Sequence, residues 1–263
     1  MGLTARIAAC PDVPQAERHT VTKHRRWVSW VGRPPSSPFA DPLTAMGVVD
    51  SNMVVEHGSR RNPLSYRDPE ELLAERGIEV DHVTFHRWVQ RFTPLLIYAA
   101  RPVRHLAGDR WFVDETYVKV AGVWRYVYRA VDQHGQVIDV YVSGRRDIGS
   151  ARTFFTVALT VHGDPGDVIT DRAPALANAI EGLIPAAWHN TGKYENNRVE
   201  CDHGRLKARL RPMRGVKTNR TASVVIRGHA FIQNLRRGHY ELAVDAGPLF
   251  RLATAFDELR PAI

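Results

Sequence analysis

Between residues 110 and 143 three successive runs alternate apolar and polar side chains with a period of two, separated only by turn-forming residues. WFVDETYVKV spans Trp111 to Val120, and Ala121-Gly122 is a two-residue turn candidate. VWRYVYRAVD follows, with Trp124, Tyr126 and Tyr128 on one face and Arg125, Val127 and Arg129 on the other. Gln133-His134-Gly135 then turns the chain into QVIDVYVS. A three-stranded meander is the expected result. The pattern changes at Asp147, an N-cap candidate, after which Ala151, Phe154, Phe155, Ala158 and Leu159 keep helical spacing. A short apolar strand, Val168 to Thr170, ends at Asp171, and Pro174 opens a helix with Leu176, Ala177, Ile180 and Leu183 inward. A fifth strand is expected around Trp188, and a further helix within residues 194–212.

Strand, strand, strand, helix, strand, helix, strand, helix is a mixed α/β order. It is the order of the RNase H-like fold, a mixed sheet flanked by helices. On the last helix Glu200 and Lys207 are seven residues apart, about two turns, and so share one face. Val199, Leu206 and Leu210 mark a separate stripe that can face a core, and Pro212 stops the helix. Arg198, Arg205, Arg209 and Arg211 surround the polar face.

Asp114 sits inside the first strand, against propensity, and burial without a partner would be costly. A divalent cation removes that conflict, because carboxylate oxygens suit Mg²⁺ and Mn²⁺. Asp171 ends a strand at the edge where open α/β sheets place their sites, and Glu200 lies on a helix able to pack beside that edge. Three converging carboxylates can hold two metal ions about 4 Å apart, the arrangement for in-line phosphoryl transfer on a nucleic-acid backbone. Each has a competing explanation. Glu115 is the neighbour of Asp114 but points to the other side of the strand; Asp171 can cap the next helix; Asp202 lies about 200° round the helix from Glu200. Cys201 reads as a small core residue. His189, His203, His229 and His239 show no zinc spacing with the cysteines and read as structural or surface residues.

The net charge of +8 favours a polyanionic partner, nucleic acid being the commonest. No apolar run approaches bilayer length, no secretory pattern opens the chain, and two cysteines cannot build a disulfide framework; a cytoplasmic protein without a membrane partner is expected. Residues 1–62, with their Pro34-Pro35-Ser36-Ser37-Pro38 cluster and the basic run Lys23 to Arg26, receive no fold and are expected to be a poorly ordered segment. Residues 63–95 read as two helices. The first starts at Asp68-Pro69-Glu70-Glu71 and ends at Gly77. The second starts near Asp81 and carries the apolar stripe Phe85, Trp88, Val89 and Phe92. Thr84, His86, Arg87, Gln90 and Arg91 lie off that stripe, which fits a helix-turn-helix presenting them to DNA as well as a plain helical hairpin. Val224, Phe231 and Leu235 predict another helix closed by Gly238, and residues 244–263 a helical tail.

Across residues 64–242 the stretches ELLAERGIEVDHVT, DRWFVDETYVKVAG, WRYVYRAVDQHGQVIDV, ITDRAP, NNRVECDHGRLKARLRPMRG and GHAFIQNLRRGHYEL resemble the DDE transposases of bacterial insertion-sequence family six. The resemblance implies an RNase H-like catalytic domain over residues 108–243, with Asp114, Asp171 and Glu200 as the catalytic, metal-holding triad. It also implies that Lys207 contacts DNA near the scissile phosphate, with Asn197 and Arg198 in the same signature, and Arg205 and Arg209 beside them. Such enzymes cut at transposon ends and join the freed 3′-hydroxyl to target DNA, using Mg²⁺ and acting as homo-oligomers that bridge two terminal inverted repeats. A bacterial, nucleoid-associated location would follow. Two features depart from the family: the segment before Leu64 lacks apolar periodicity, and Pro69 replaces an apolar residue. The alternative reading is a DNA-binding repressor derived from such a transposase.

Overall fold

In the computed structural model, strand β1 (Arg110–Val120) returns as β2 (Val123–Asp132) through Ala121-Gly122. These two residues have φ of +50° and +82°, the two-residue turn geometry whose twist matches the flanking strands. Strand β3 (Val137–Ser143) follows. Buried Asp132 holds the second turn, accepting hydrogen bonds from the backbone N–H groups of Gly108, His134 and Gln136. The structure describes residues 42–43, 70, 73–74, 79–192, 195–213, 216–248 and 250–263.

Two short strands, β4 (Asp167–Ile169) and β5 (Trp188–Asn190), complete a five-stranded sheet of order β3-β2-β1-β4-β5. β1 is antiparallel to β2 and parallel to β4, and β5 is parallel to β4. Helices α2 (Ile148–His162) and α3 (Pro174–Leu183) cover one face. There Trp111, Val113, Tyr128 and Ile138 meet Phe154, Phe155, Leu176 and Ile180. Helices α4 (Asn197–Leu210) and α5 (Asn219–Arg236) cover the other, where Phe112, Val127 and Val140 meet Val199, Leu206 and Ile226. Alternate residues of β1 therefore enter different cores, as its pleat requires. This is the expected RNase H-like arrangement.

Helix α1 (His82–Ala100) begins at Asp81, whose carboxylate accepts from the Thr84 N–H at 2.7 Å and from its hydroxyl at 3.0 Å. The predicted stripe is real: Phe85 is buried, with Trp88, Val89 and Phe92 packed on the same cluster. The helix continues through Pro94, past the expected boundary at residue 95, because Leu96, Ala99 and Ala100 are also buried. It crosses α5 where Gly228 faces buried Thr93. A Cβ at Gly228 would lie 2.8 Å from Thr93 Cγ2, so only glycine allows this approach without a shift. Helix α6 (Arg251–Leu259) supplies Leu252, Phe256 and Leu259 to the same cluster, as do Leu43 and Leu73. The two regions expected at either end of the catalytic domain thus share one core against α5. The proline cluster, the basic run at 23–26, the Asp68-Pro69 start signal and Gly77 lie outside the described residues. Of the first helix of the expected pair, Glu70, Leu73 and Ala74 are described, each helical.

Charge is also buried under the sheet. Arg129 of β2 is wholly buried and ion-paired with buried Asp202 of α4, which accepts from Arg237 at 2.7 Å. Burial works against the Asp202 charge, but Arg129 and Arg237 more than offset it and hold the carboxyl below its usual range. Desolvation, reinforced by Arg129, pushes nearby His229 down to about 3. Desolvation and Arg104 push His162 down to about 4. An unfolded histidine titrates near ~6.5. Below that pH the unfolded chain takes up protons that the folded chain refuses, so the stability these histidines contribute is present above pH ~6.5 and is lost as pH falls toward 4. Thermal midpoints should fall from pH 7 to pH 5, and His229→Gln should flatten the slope by up to one linked proton; an unchanged slope would remove His229 from the account.

Candidate active site

The register of the parallel pair places the first two acidic residues. Arg110 lies opposite Asp167, Trp111 opposite Val168 and Phe112 opposite Ile169. Asp114 stands two residues further along β1, and Asp171 two residues past the end of β4, at the same end of the pair. Carboxylate oxygens of Asp114, Glu115 and Asp171 lie within 4.8 Å of one another. Asp171 also accepts from the Ala173 N–H at 2.9 Å, so its turn-forming and site roles coexist. Asp114 accepts from the Glu115 N–H at 2.8 Å with Oδ1 and keeps Oδ2 toward α4.

Glu115 leaves the strand on the opposite side, as alternation requires, yet its longer side chain brings the carboxylate back to its neighbours. Arg146, from the β3–α2 connection, ion-pairs with it and lies 4.0 Å from Asp171 Oδ2. Burial pushes the Glu115 carboxyl up, with Arg146 opposing and both aspartates adding to the rise. For Arg146, partial burial disfavours the charge, but Glu115, Asp171 and Asp114 outweigh it and hold the guanidinium above its usual range. One cation therefore already serves three clustered carboxylates.

Helix α4 is fastened beside Asp114. Buried Asn196 donates to the Val113 carbonyl at 3.0 Å, pinning the helix start to β1. His203 is buried, and its Nδ1 lies 3.5 Å from Asp114 Oδ2. Glu200 is exposed and stands outside the group of three, one turn before His203 and on the same side of the helix. Lys207 follows His203 by four residues, and its Nζ lies 4.7 Å from the centre of the Tyr117 ring. Glu200, His203 and Lys207 thus share one side of α4, with His203 the member that meets Asp114.

The remaining candidates are dispersed. Asn197 and Cys201 are exposed, Cys201 against the expectation of a core position. Buried Asp202 and His203 occupy that side of the helix instead. Arg198 donates to the Gln133 carbonyl at 2.7 Å and lies over Phe112, its centroid 5.5 Å away. Arg205 is exposed, 3.6 Å from Asp202, and Arg209 is half-buried. On α1, Arg87 and Arg91 are exposed, His86 is half-buried, and the Thr84 hydroxyl is committed to Asp81. Desolvation, with Lys217 nearby, lowers the His86 ring below its usual value. None of these α1 residues belongs to the carboxylate group.

Residues 108–239, which include Asp114, Asp171 and Glu200, match a family model described as a DDE domain. Over 163 residues the chain is 39% identical to the transposase for insertion sequence-like element IS431mec of Staphylococcus aureus, a stretch covering 60% of this chain and 73% of that protein. The chain belongs to the DDE transposases of insertion-sequence family six. Another relative is the Staphylococcus aureus transposase for insertion sequence element IS257 in transposon Tn4003, also 39% identical over 163 residues, with the same coverage. Among solved structures, the HTLV-2 integrase catalytic core domain in complex with magnesium is similar at 20% identity and a TM-score of 0.40, over 50% of this chain and 88% of that one. In this DDE transposase, sequence reasoning missed three residues beside the carboxylates: Asn196, His203 and Arg146. The run NNRVECDH held a signal for two of them, since Asn196, Val199 and His203 recur at helical spacing.

Proposed function

We propose that Asp114 and Asp171 hold divalent metal, that Glu200 completes the set from α4, and that the site cuts transposon ends and joins the freed 3′-hydroxyl to target DNA. The observation carrying this reading is the grouping of the Asp114 and Asp171 carboxylates, one from β1 and one just past the end of the adjacent parallel β4, in a chain of the DDE transposase family. The donor types fit Mg²⁺ or Mn²⁺: Asp114 and Asp171, grouped with Glu115, offer hard carboxylate oxygens within 4.8 Å of one another, and Glu200 adds another carboxylate from α4. When bound, two such ions supply activation of the attacking water or 3′-hydroxyl and stabilisation of the leaving oxygen.

The chain's own groups do the rest. His203 backs Asp114 from within the protein and limits the rotation of its carboxylate. Asn196 holds α4 at the strand edge. Lys207, exposed on the same side of α4, meets the DNA phosphate. Arg146 balances the carboxylates. Residues 108–243 form the catalytic domain, and Arg87 and Arg91 of α1, with Arg205 and Arg209 of α4, add positive charge for double-stranded DNA. Bridging two terminal inverted repeats calls for a homo-oligomer. The family membership favours an active transposase over a repressor. No helix among the described residues is long and apolar enough to cross a membrane.

A joining assay with labelled terminal-repeat duplex and a target plasmid tests this. Joined product is expected with Mg²⁺ and none after chelation. Glu200→Gln should lower the joining rate by about 10²-fold or more, the loss expected for one carboxylate of a metal-holding set. Binding of the repeat without joining at any metal concentration would favour the repressor; joining unaffected by Glu200→Gln would exclude Glu200 from the site.

A further inference from the structure

Beyond the carboxylates, the β1–β2 hairpin carries an aromatic surface that the phosphoryl-transfer chemistry does not use. Tyr117 and Trp124 are 55% and 52% exposed. A single exposed aromatic residue is ordinary, but two in contact on one strand face form a surface. Their rings meet edge to face, with centroids 5.1 Å apart and an interplanar angle of 89°. Lys119 is paired opposite Trp124, with its Nζ 5.4 Å from the Trp124 centroid, and Lys207 reaches Tyr117 from α4 at 4.7 Å. Each ring is thus half open to solvent and flanked by an ammonium group.

The position of this surface matters as much as its composition. Tyr117 is two residues beyond Glu115, on the same face of β1, about 7 Å along the strand. A stacked nucleic-acid strand advances about 3.4 Å per nucleotide. The rings therefore lie about two nucleotides from a phosphate seated at the carboxylates. Lys207 joins the two places, since it shares a helix face with Glu200 and caps the Tyr117 ring. Aromatic faces interleaved with lysines are the composition that binds unpaired bases: the ring takes the base and the ammonium takes the phosphate. A protein of net charge +8 adds the long-range attraction for such a strand.

We propose that Tyr117 and Trp124, with Lys119 and Lys207, form a stacking platform for an unpaired nucleobase of the DNA strand next to the scissile phosphate. The proposal rests on the reading of Asp114 and Asp171 as the site of phosphoryl transfer. By holding a base out of the duplex, the platform would keep the strand end frayed and fix its direction across the metal site. Sequence preference should be weak, because every base offers a π-face.

The test uses the full chain and two fluorescein-labelled probes, a single-stranded oligothymidylate 20-mer and a blunt 20-base-pair duplex. The Tyr117→Ala/Trp124→Ala double variant is expected to bind the single strand at least about 10-fold more weakly, the loss typical of a removed base–ring stack. Duplex binding should change less than about 3-fold, and the salt dependence of single-strand binding should be unchanged, because no phosphate contact is removed. Tyr117→Phe and Trp124→Phe keep the π-faces and should bind as wild type. Should the alanine variant not fold, Tyr117→Leu/Trp124→Leu, apolar without a π-face, takes its place with the same expected loss. Unchanged single-strand affinity, an equal loss on both probes, or a change of oligomeric state without loss of single-strand binding would each overturn the platform. Asp114→Asn separates the two readings: it should bind the oligothymidylate as wild type and join nothing. Joining by Asp114→Asn would sink the catalytic reading alone, and full single-strand binding by the ring variants would sink the platform alone.

Discussion

Asp114→Asn is expected to lower the rate of strand joining by at least about 10³-fold, equivalent to ~4 kcal/mol of transition-state stabilisation, while DNA binding changes less than about 3-fold. Asparagine keeps the shape of aspartate, and its carbonyl oxygen can still accept the Glu115 N–H that Asp114 Oδ1 accepts at 2.8 Å. What it loses is the charge that makes the side chain a hard ligand. The variant should also be no less stable than wild type, and a small gain is expected. Three carboxylates with oxygens within 4.8 Å of one another repel in the absence of metal, with Arg146 as the cation beside them. Removing one charge relieves that repulsion, the usual sign of a group kept for function at the expense of stability. Single-turnover joining, filter binding and a thermal melt on the same preparation measure the three quantities. Joining within tenfold of wild type would remove Asp114 from the chemistry, whereas a joining defect accompanied by a large drop in melting temperature would mark Asp114 as structural.

The sheet was legible because its signals are local. Ala121-Gly122 and Gln133-His134-Gly135 punctuate three alternating runs, and the observed strands stop at those turns. The parallel direction of β4 and β5 follows from the intervening helices, since a helical crossover is what parallel pairing needs. Legibility fails where a residue's environment is set by a distant element. Arg129 reads like Arg125 along β2, but its face lies under α4, where Asp202 meets it. Asp202 appeared as a rival to Glu200 in metal binding and is instead a buried counter-ion. Cys201, taken for a core residue, is exposed because Asp202 and His203 turn inward. Alternation along β1 placed the Glu115 backbone correctly and its carboxylate wrongly, since a longer side chain can return to the strand edge. Pro94 does not stop α1, because burial of Leu96, Ala99 and Ala100 against α5 and α6 outweighs the local cost. That Asp114 and Asp171 come close together was legible, because one stands inside the first strand, against its propensity, and the other just past the end of the strand beside it.

Asp202→Ala is the counterpart expected to fail through folding, with a loss of about 3–5 kcal/mol, the range for breaking a buried pair from one side. Arg129 has no exposed surface, and its Nε and Nη1 have no hydrogen-bond partner among the described residues. Compensation for its charge rests on the Asp202 carboxylate, so removing that carboxylate leaves an uncompensated cation under the sheet. The loss is a large share of the roughly 5–15 kcal/mol that stabilises a typical domain. It would also free α4, because Asp202 ties that helix to β2 through Arg129 and to the residue capping α5 through Arg237. Glu200, His203 and Lys207 ride on the same helix, so whatever fraction remains folded should join DNA poorly, with the defect relieved by low temperature rather than by added metal. Arg129→Met/Asp202→Leu decides whether the charge itself is responsible. Replacing both partners with apolar residues of similar volume removes the stranded cation, and the double variant should recover most of the stability lost in Asp202→Ala. Urea midpoints at constant m-value give the comparison. A double variant as unstable as the single one would show that Asp202 acts through its contact with Arg237 rather than through the pair with Arg129.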